Sequence, residues 1–170
     1  LVLACGLNPD VVVGDLDSVS AKALSAAGVV VEALDQNLSD CDKLLAYAAG
    51  ERVEEITLVG AEGRRIDHMI GILQSAARAS LRVRVAYERQ LAWVVRERFA
   101  VEVEGVFSLL PLTRCEGVEL TGGRWELHDT VLDPIGLTSL SNEGRGRVEV
   151  SIGSGAAVLF VPYDGKATWE

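Results

Sequence analysis

Between residues 11 and 86, short β-branched runs alternate with alanine-rich helical stretches, and after about residue 87 the helical signal stops. That change of pattern constrains the fold more than any other feature. Val11-Val12-Val13 reads as a buried strand ending at Gly14-Asp15, and residues 29–31, 55–59 and 81–86 read as three more. Residues 20–27 form a helix opened by a Ser N-cap and closed by Gly28. Residues 39–49 form a second helix stopped by Gly50, and residues 68–79 a third. Strands alternating with helices predict a three-layer α/β domain with a parallel sheet, whose ligands gather at the carboxyl ends of the strands. Beyond it, short strands at 92–95, 99–103, 106–110, 117–120, 148–152 and 157–161, punctuated by Gly, Pro, Asn and Asp, predict an antiparallel β-sandwich. The expected domains are 1–88 and 89–170.

Three acidic turns fall at the predicted strand ends. In Gly14-Asp15-Leu16-Asp17-Ser18, strand alternation sends Asp15 and Asp17 the same way and Leu16 toward the core. Two hard oxygen donors suit Mg²⁺, which takes one or two carboxylates plus phosphate oxygens and water. A solvated acidic turn would have the same letters. In Asp35-Gln36-Asn37-Leu38-Ser39-Asp40-Cys41-Asp42-Lys43, Ser39 or Asp40 caps a helix whose N-terminus favours phosphate, and Lys43 lies one turn inside as a mobile point charge. In Gly60-Ala61-Glu62-Gly63-Arg64-Arg65-Ile66-Asp67-His68, glycines allow a tight loop, arginines offer planar donors, Asp67 adds a carboxylate and His68 a hydrogen-bond donor. Each turn is ordinary alone. The recurrence of strand, acidic turn and helix three times in 70 residues is not explained by solubility. Phosphoryl-group chemistry needs metal-held phosphates, donors for developing charge and an aligned acceptor hydroxyl, and either Asp40 or Asp67 can take the hydroxyl proton.

Bulk properties narrow the classes. A net charge of -9 and a pI near 4.8 leave no basic surface for nucleic acid. The apolar stretches are too short to cross a bilayer, residues 1–4 lack the charged start of a signal peptide, and three scattered cysteines read as reduced thiols, so a cytoplasmic protein is expected.

In this order, the residues resemble the thiamine pyrophosphokinases, a family carrying GDxDS, DxxxTDxxK and GxxGGRxDH motifs. Here they stand as Gly14 to Ser18, Asp35 to Lys43 with Ser39 in the Thr place, and Gly60 to His68. Gly122-Gly123-Arg124-Trp125-Glu126-Leu127 resembles the family's G-x-[KR]-[YW]-x-L strand, and Ser141-Asn142-Glu143 its Ser-Asn-Glu segment. The resemblance runs from about residue 7 to residue 162. It implies transfer of a pyrophosphoryl group from ATP to the hydroxyl of thiamine, giving thiamine diphosphate and AMP, in a homodimer with thiamine at the subunit interface. Carried over by position, Asp15, Asp17, Asp40 and Asp67 are the catalytic acids, with Mg²⁺ on Asp15, Asp17 and Asp40. Gln36, Ser39, Lys43, Arg65 and His68 neighbour the nucleotide and its phosphates. Ser141 and Asn142 lie on the thiamine side, and Trp125 supplies an aromatic wall suited to a cationic thiazolium. Three positions depart from the pattern: Arg64 replaces a Gly, Gly71 stands where an Asn is usual, and the family's first strand is missing before Pro9. Competing readings are a pyrophosphokinase for another hydroxymethyl heterocycle such as a pterin, and a non-catalytic thiamine- or nucleotide-binding module.

Overall fold

The computed structural model describes residues 2–17, 19–62 and 65–163. The chain divides into two compact units, Leu1–Glu54 with Ala79–Leu81 and Glu55–Arg78 with Arg82–Glu170.

In the first unit, a 3-10 turn at Val2–Cys5 precedes β1 (Val11–Gly14), α1 (Ala21–Ala26), β2 (Val29–Glu32) and α2 (Asp40–Gly50). β1 and β2 pair in parallel, from Val11↔Val29 to Gly14↔Glu32, with α1 as the crossover. The Ser20 hydroxyl accepts from the Ala23 amide at 3.2 Å and sets the start of α1, as the sequence predicts. Gly28 is required where the chain returns: a Cβ there would lie 2.9 Å from the Asp10 carbonyl oxygen. α2 turns Leu45 and Ala48 inward, and with them the charged Lys43.

The second unit runs β3 (Glu55–Val59), α3 (Ile66–Arg78), β4 (Arg82–Ala86), β5 (Gln90–Val95), β6 (Phe99–Pro111), β7 (Cys115–Gly123), β8 (Leu127–Leu132), β9 (Ser139–Ser151) and β10 (Ala157–Pro162). Its eight strands are ordered β3-β4-β5-β10-β6-β9-β7-β8. β3 and β4 are parallel across the α3 crossover, and every later pairing is antiparallel. The α/β pattern followed by antiparallel strands is therefore as expected. The four predicted parallel strands, however, form two pairs, and β4 continues through β5 into the antiparallel region. One cluster of buried side chains draws on every strand from β5 to β10, including Leu91, Phe107, Leu120, Leu132, Val150 and Leu159.

Two local expectations are corrected, and β8 is an addition to them. Residues 99–103 and 106–110 belong to one 13-residue strand, β6. Gly105, at φ +116°, pairs with Gly144, and the ladder with β9 keeps its register through this pair to Phe107. Residues 122–127 are not one strand: β7 ends at Gly123, β8 begins at Leu127, and residues 124–126 connect them. β8 itself escapes sequence reading because His128 and Asp129 interrupt its apolar alternation.

Candidate active site

The first two acidic turns meet. Lys43 projects from the first turns of α2 with a side chain only 3% exposed, its Nζ 3.2 Å from Asp40 Oδ1 and 4.0 Å from Asp15 Oδ2. A buried ammonium needs compensating charge, and these two carboxylates supply it. Lys43 is therefore held between the two turns rather than mobile, as the sequence alone suggested. The approach is close: a Cβ on Gly14 would lie 3.3 Å from Asp40 Oδ1, and Gly14 has φ +157°.

The turn after β1 is not extended. Leu16 has φ +65°, a left-handed conformation that costs a non-glycine residue about 1–2 kcal/mol. The Asp17 amide donates to Asp15 Oδ1 at 3.2 Å. Alternation thus fails at Leu16. Asp15 is half-buried, Asp17 is exposed, and Ser18 lies outside the described residues.

Before α2, Asp35 Oδ1 accepts from both the backbone and the side-chain nitrogen of Asn37, at 2.9 and 3.0 Å, which leaves Gln36 exposed at the tip of a tight turn. Ser39 rather than Asp40 is the cap. Its hydroxyl accepts from the Asp42 amide at 3.1 Å while Asp42 Oδ2 accepts from the Ser39 amide, a reciprocal capping box. Asp40 is released from capping, and its side chain, 61% exposed, stands beside Lys43.

The third turn belongs to the second unit. Gly63 and Arg64 lie outside the described residues. Arg65 donates to Asp67 through two nitrogens, Nε to Oδ1 at 3.2 Å and Nη2 to Oδ2. That fork holds the Asp67 carboxyl below its ordinary range and raises the Arg65 guanidinium. Asp67 and His68 both sit exposed in the first turn of α3. Glu62, not singled out in the sequence, fixes the loop from the other side by accepting the Glu88 amide at 2.9 Å.

The β-rich region has a second set of features. A cleft of about 390 Å³ is lined by Gly122, Gly123, Arg124, Glu143 and Arg145. Trp125, the next residue after Arg124, is 52% exposed, so it is not a core residue, and the Arg124 guanidinium lies 4.7 Å from its ring centroid. Asn142 is 1% exposed. Its Oδ1 accepts from the amides of Trp125 and Glu143 at 3.1 and 2.8 Å, and its Nδ2 donates to the Trp125 carbonyl at 2.7 Å. The neighbouring Ser141 is exposed, with φ +59° and its amide bound to Ser108 Oγ at 3.0 Å. The two residues named as a pair thus have different surroundings: one is open to solvent and the other clamps a turn. Arg124 and Glu143, joined at 3.3 Å, stand inside the two motifs of this region, whereas Arg145 had no signal of its own beyond the residues beside it.

Carboxylates are hard donors, and Asp15 with Asp40 form a two-carboxylate set of the kind Mg²⁺ uses when phosphate and water complete its shell. Among the described residues, no three His, Cys, Asp or Glu side chains come together as a self-sufficient metal cage.

Residues 2–86 match the family model described as thiamin pyrophosphokinase, catalytic domain, and residues 97–157 match thiamin pyrophosphokinase, vitamin B1 binding domain. Nothing among curated protein sequences matches significantly. The fold is similar to thiamine pyrophosphokinase from Bacillus subtilis, with 21% identity over 96% of this chain and 83% of that one and a TM-score of 0.79. A thiamin pyrophosphokinase family protein from Enterococcus faecalis is similar at 21% identity, 96% and 84% coverage and a TM-score of 0.79. Thiamin pyrophosphokinase from Candida albicans is similar at 14% identity, 94% and 74% coverage and a TM-score of 0.73.

Proposed function

The chain belongs to the thiamin pyrophosphokinase family, and from that premise we propose how its own residues perform the reaction. As a thiamine diphosphokinase it transfers a pyrophosphoryl group from ATP to the hydroxyl of thiamine, forming thiamine diphosphate and releasing AMP. The pterin and non-catalytic readings are not favoured.

Asp15 and Asp40 hold Mg²⁺ in this proposal, with the exposed Asp17 as a further carboxylate of the same turn. When bound, Mg²⁺ neutralises the phosphates and orients them for in-line attack. Lys43 keeps the two carboxylates together in the absence of other cations, which supports a preformed rather than an induced set. Gln36 and Ser39 belong to the turn that borders it, Ser39 by fixing the start of α2. Arg65 and His68 donate to phosphate oxygens. Asp67, with its carboxyl weakened as a base by Arg65, serves in this proposal as a fixed negative partner of its loop. On the acceptor side, the Trp125 face and the Glu143 carboxylate suit the thiazolium cation, Ser141 offers an exposed hydroxyl, and Asn142 positions Trp125.

A homodimer is proposed with these assignments. The exposed Ile135, Leu137 and Leu140, at 98, 55 and 67%, are consistent with an apolar contact surface. The cytoplasm is the proposed location; the three cysteines form no disulfide, and among the described residues no helix is long and apolar enough to cross a membrane.

The observation that carries the site assignment is the meeting of Asp15 and Asp40 on Lys43. Mass spectrometry of a reaction of thiamine, ATP and Mg²⁺ tests it, with thiamine diphosphate and AMP expected and their loss in Asp40→Asn. Thiamine monophosphate with ADP, or an Asp40→Asn enzyme of normal rate, overturns the assignment.

A further inference from the structure

α3 carries its chemistry at one end and its anchorage at the other. Asp67 and His68 occupy its first turn, where Ile66 and Ile70 are 71 and 53% exposed. Only Ser75 and Ala76, in its last turns, are buried. There Arg96, in the bend directly after β5, reaches the helix end. Its Nη2 alone donates to the carbonyls of Ala76 and Ala77, at 2.6 and 2.8 Å. Both belong to the last four carbonyls of α3, which have no partner within the helix, and a cation at that end also meets the negative pole of the helix dipole. Burial lowers the proton affinity of the guanidinium, and its charge is retained in contact with the two carbonyls.

We propose that Arg96 is a positioning residue for the nucleotide: by bridging the Ala76 and Ala77 carbonyls it fixes the tilt of α3 and thereby the placement of Asp67 and His68. This rests on the assignment of the Gly60–His68 loop to nucleotide phosphates. The lever is long. The bridged carbonyls lie nine and ten residues beyond Asp67, or about 14 Å of helix, so a tilt of about 4° at the anchor moves the first turn by about 1 Å. Displacements of about 1 Å at reacting groups cost up to roughly 100-fold in rate. β5 is hydrogen-bonded on both sides, to β4 and β10, so the residue that grips the helix stands on a rigid support.

Arg96→Met removes the donors and keeps the stem; Arg96→Lys keeps a charge and donors on a different, compact head. With the full chain, steady-state kinetics in ATP and thiamine and hydrogen exchange are measured for both variants beside Asp67→Asn. Arg96→Met is expected to lower kcat/KM for ATP by about tenfold or more, to leave the KM for thiamine within about twofold, and to speed exchange in residues 66–71. Arg96→Lys should recover part of the ATP loss. If Arg96→Met melts earlier but keeps normal constants for ATP per folded molecule, or loses ATP and thiamine equally, the proposal is overturned. Should Arg96→Met yield no folded protein, Arg96→Lys decides by the same readouts. Normal ATP kinetics in Asp67→Asn would remove the loop assignment and this inference with it. An impaired Asp67→Asn beside a normal Arg96→Met would remove the inference alone.

Discussion

Asn142 grips Trp125 by both of its backbone polar groups, accepting from its amide at 3.1 Å and donating to its carbonyl at 2.7 Å. A buried side-chain amide thereby replaces the strand ladder where β7 stops, and the turn that presents the indole ring is fixed from below.

Removing that grip strands three backbone groups. Asn142→Ala is expected to cost about 2–3 kcal/mol in denaturant unfolding and to raise the KM for thiamine more than that for ATP. Asn142→Asp, which sets a carboxylate oxygen against the Trp125 carbonyl, should be worse than Ala. An Asn142→Ala protein with unchanged thiamine KM would separate the clamp from the acceptor site.

Lys43→Met is expected to abolish turnover by at least about 100-fold while changing stability by no more than about 2 kcal/mol in either direction. The desolvation cost of a buried ammonium nearly cancels its attraction to Asp40 and Asp15. Thermal melts beside product assays check both halves. A large loss of stability would mean that Lys43 serves mainly the fold.

Asp67 should titrate below the 3.8 of an unperturbed carboxyl, and Arg65→Met should bring it upward, as followed by carboxyl NMR shifts. The sign follows from the depressed folded-state value. The pair's contribution is present above the unfolded-state pKa and disappears as pH falls through the folded one. Both groups are solvent-exposed, so the effect belongs to the local titration and not to the melting temperature. An Asp67 titration at or above 3.8 would break the Arg65 pairing.

Two glycines are predicted to respond in opposite directions. Gly122 has φ +80°, and a Cβ there would lie 2.1 Å from the Arg147 carbonyl oxygen, so Gly122→Ala should destabilise by more than about 2 kcal/mol. Gly71 lies inside α3, and a Cβ there meets nothing within 4 Å. Gly71→Ala should therefore stabilise by about 0.5–1 kcal/mol. Denaturant midpoints of both variants test the pair, and a destabilising Gly71→Ala would show that α3 needs its flexibility.

What the sequence determined by itself was local. Ser20 and Ser39 start their helices because a hydroxyl reaches an amide only three residues away, and β1 to β4 and β10 follow from short β-branched runs. The acidic turns were legible for the same reason, since a motif is a short-range pattern. Tertiary structure alone decided the rest. It made one strand of residues 99–111 through the facing glycines Gly105 and Gly144, carried β4 into β5, and turned Leu16 left-handed. It also buried Lys43 between two carboxylates, and sent Asn142 to Trp125 and Arg96 to the end of α3. The Gly105–Gly144, Asn142–Trp125 and Arg96–Ala76 contacts join residues 17 or more positions apart, and the burial of Lys43 hides a charge from water. Such contacts gain their free energy only when the chain has closed around them, so no neighbouring residue announces them in advance.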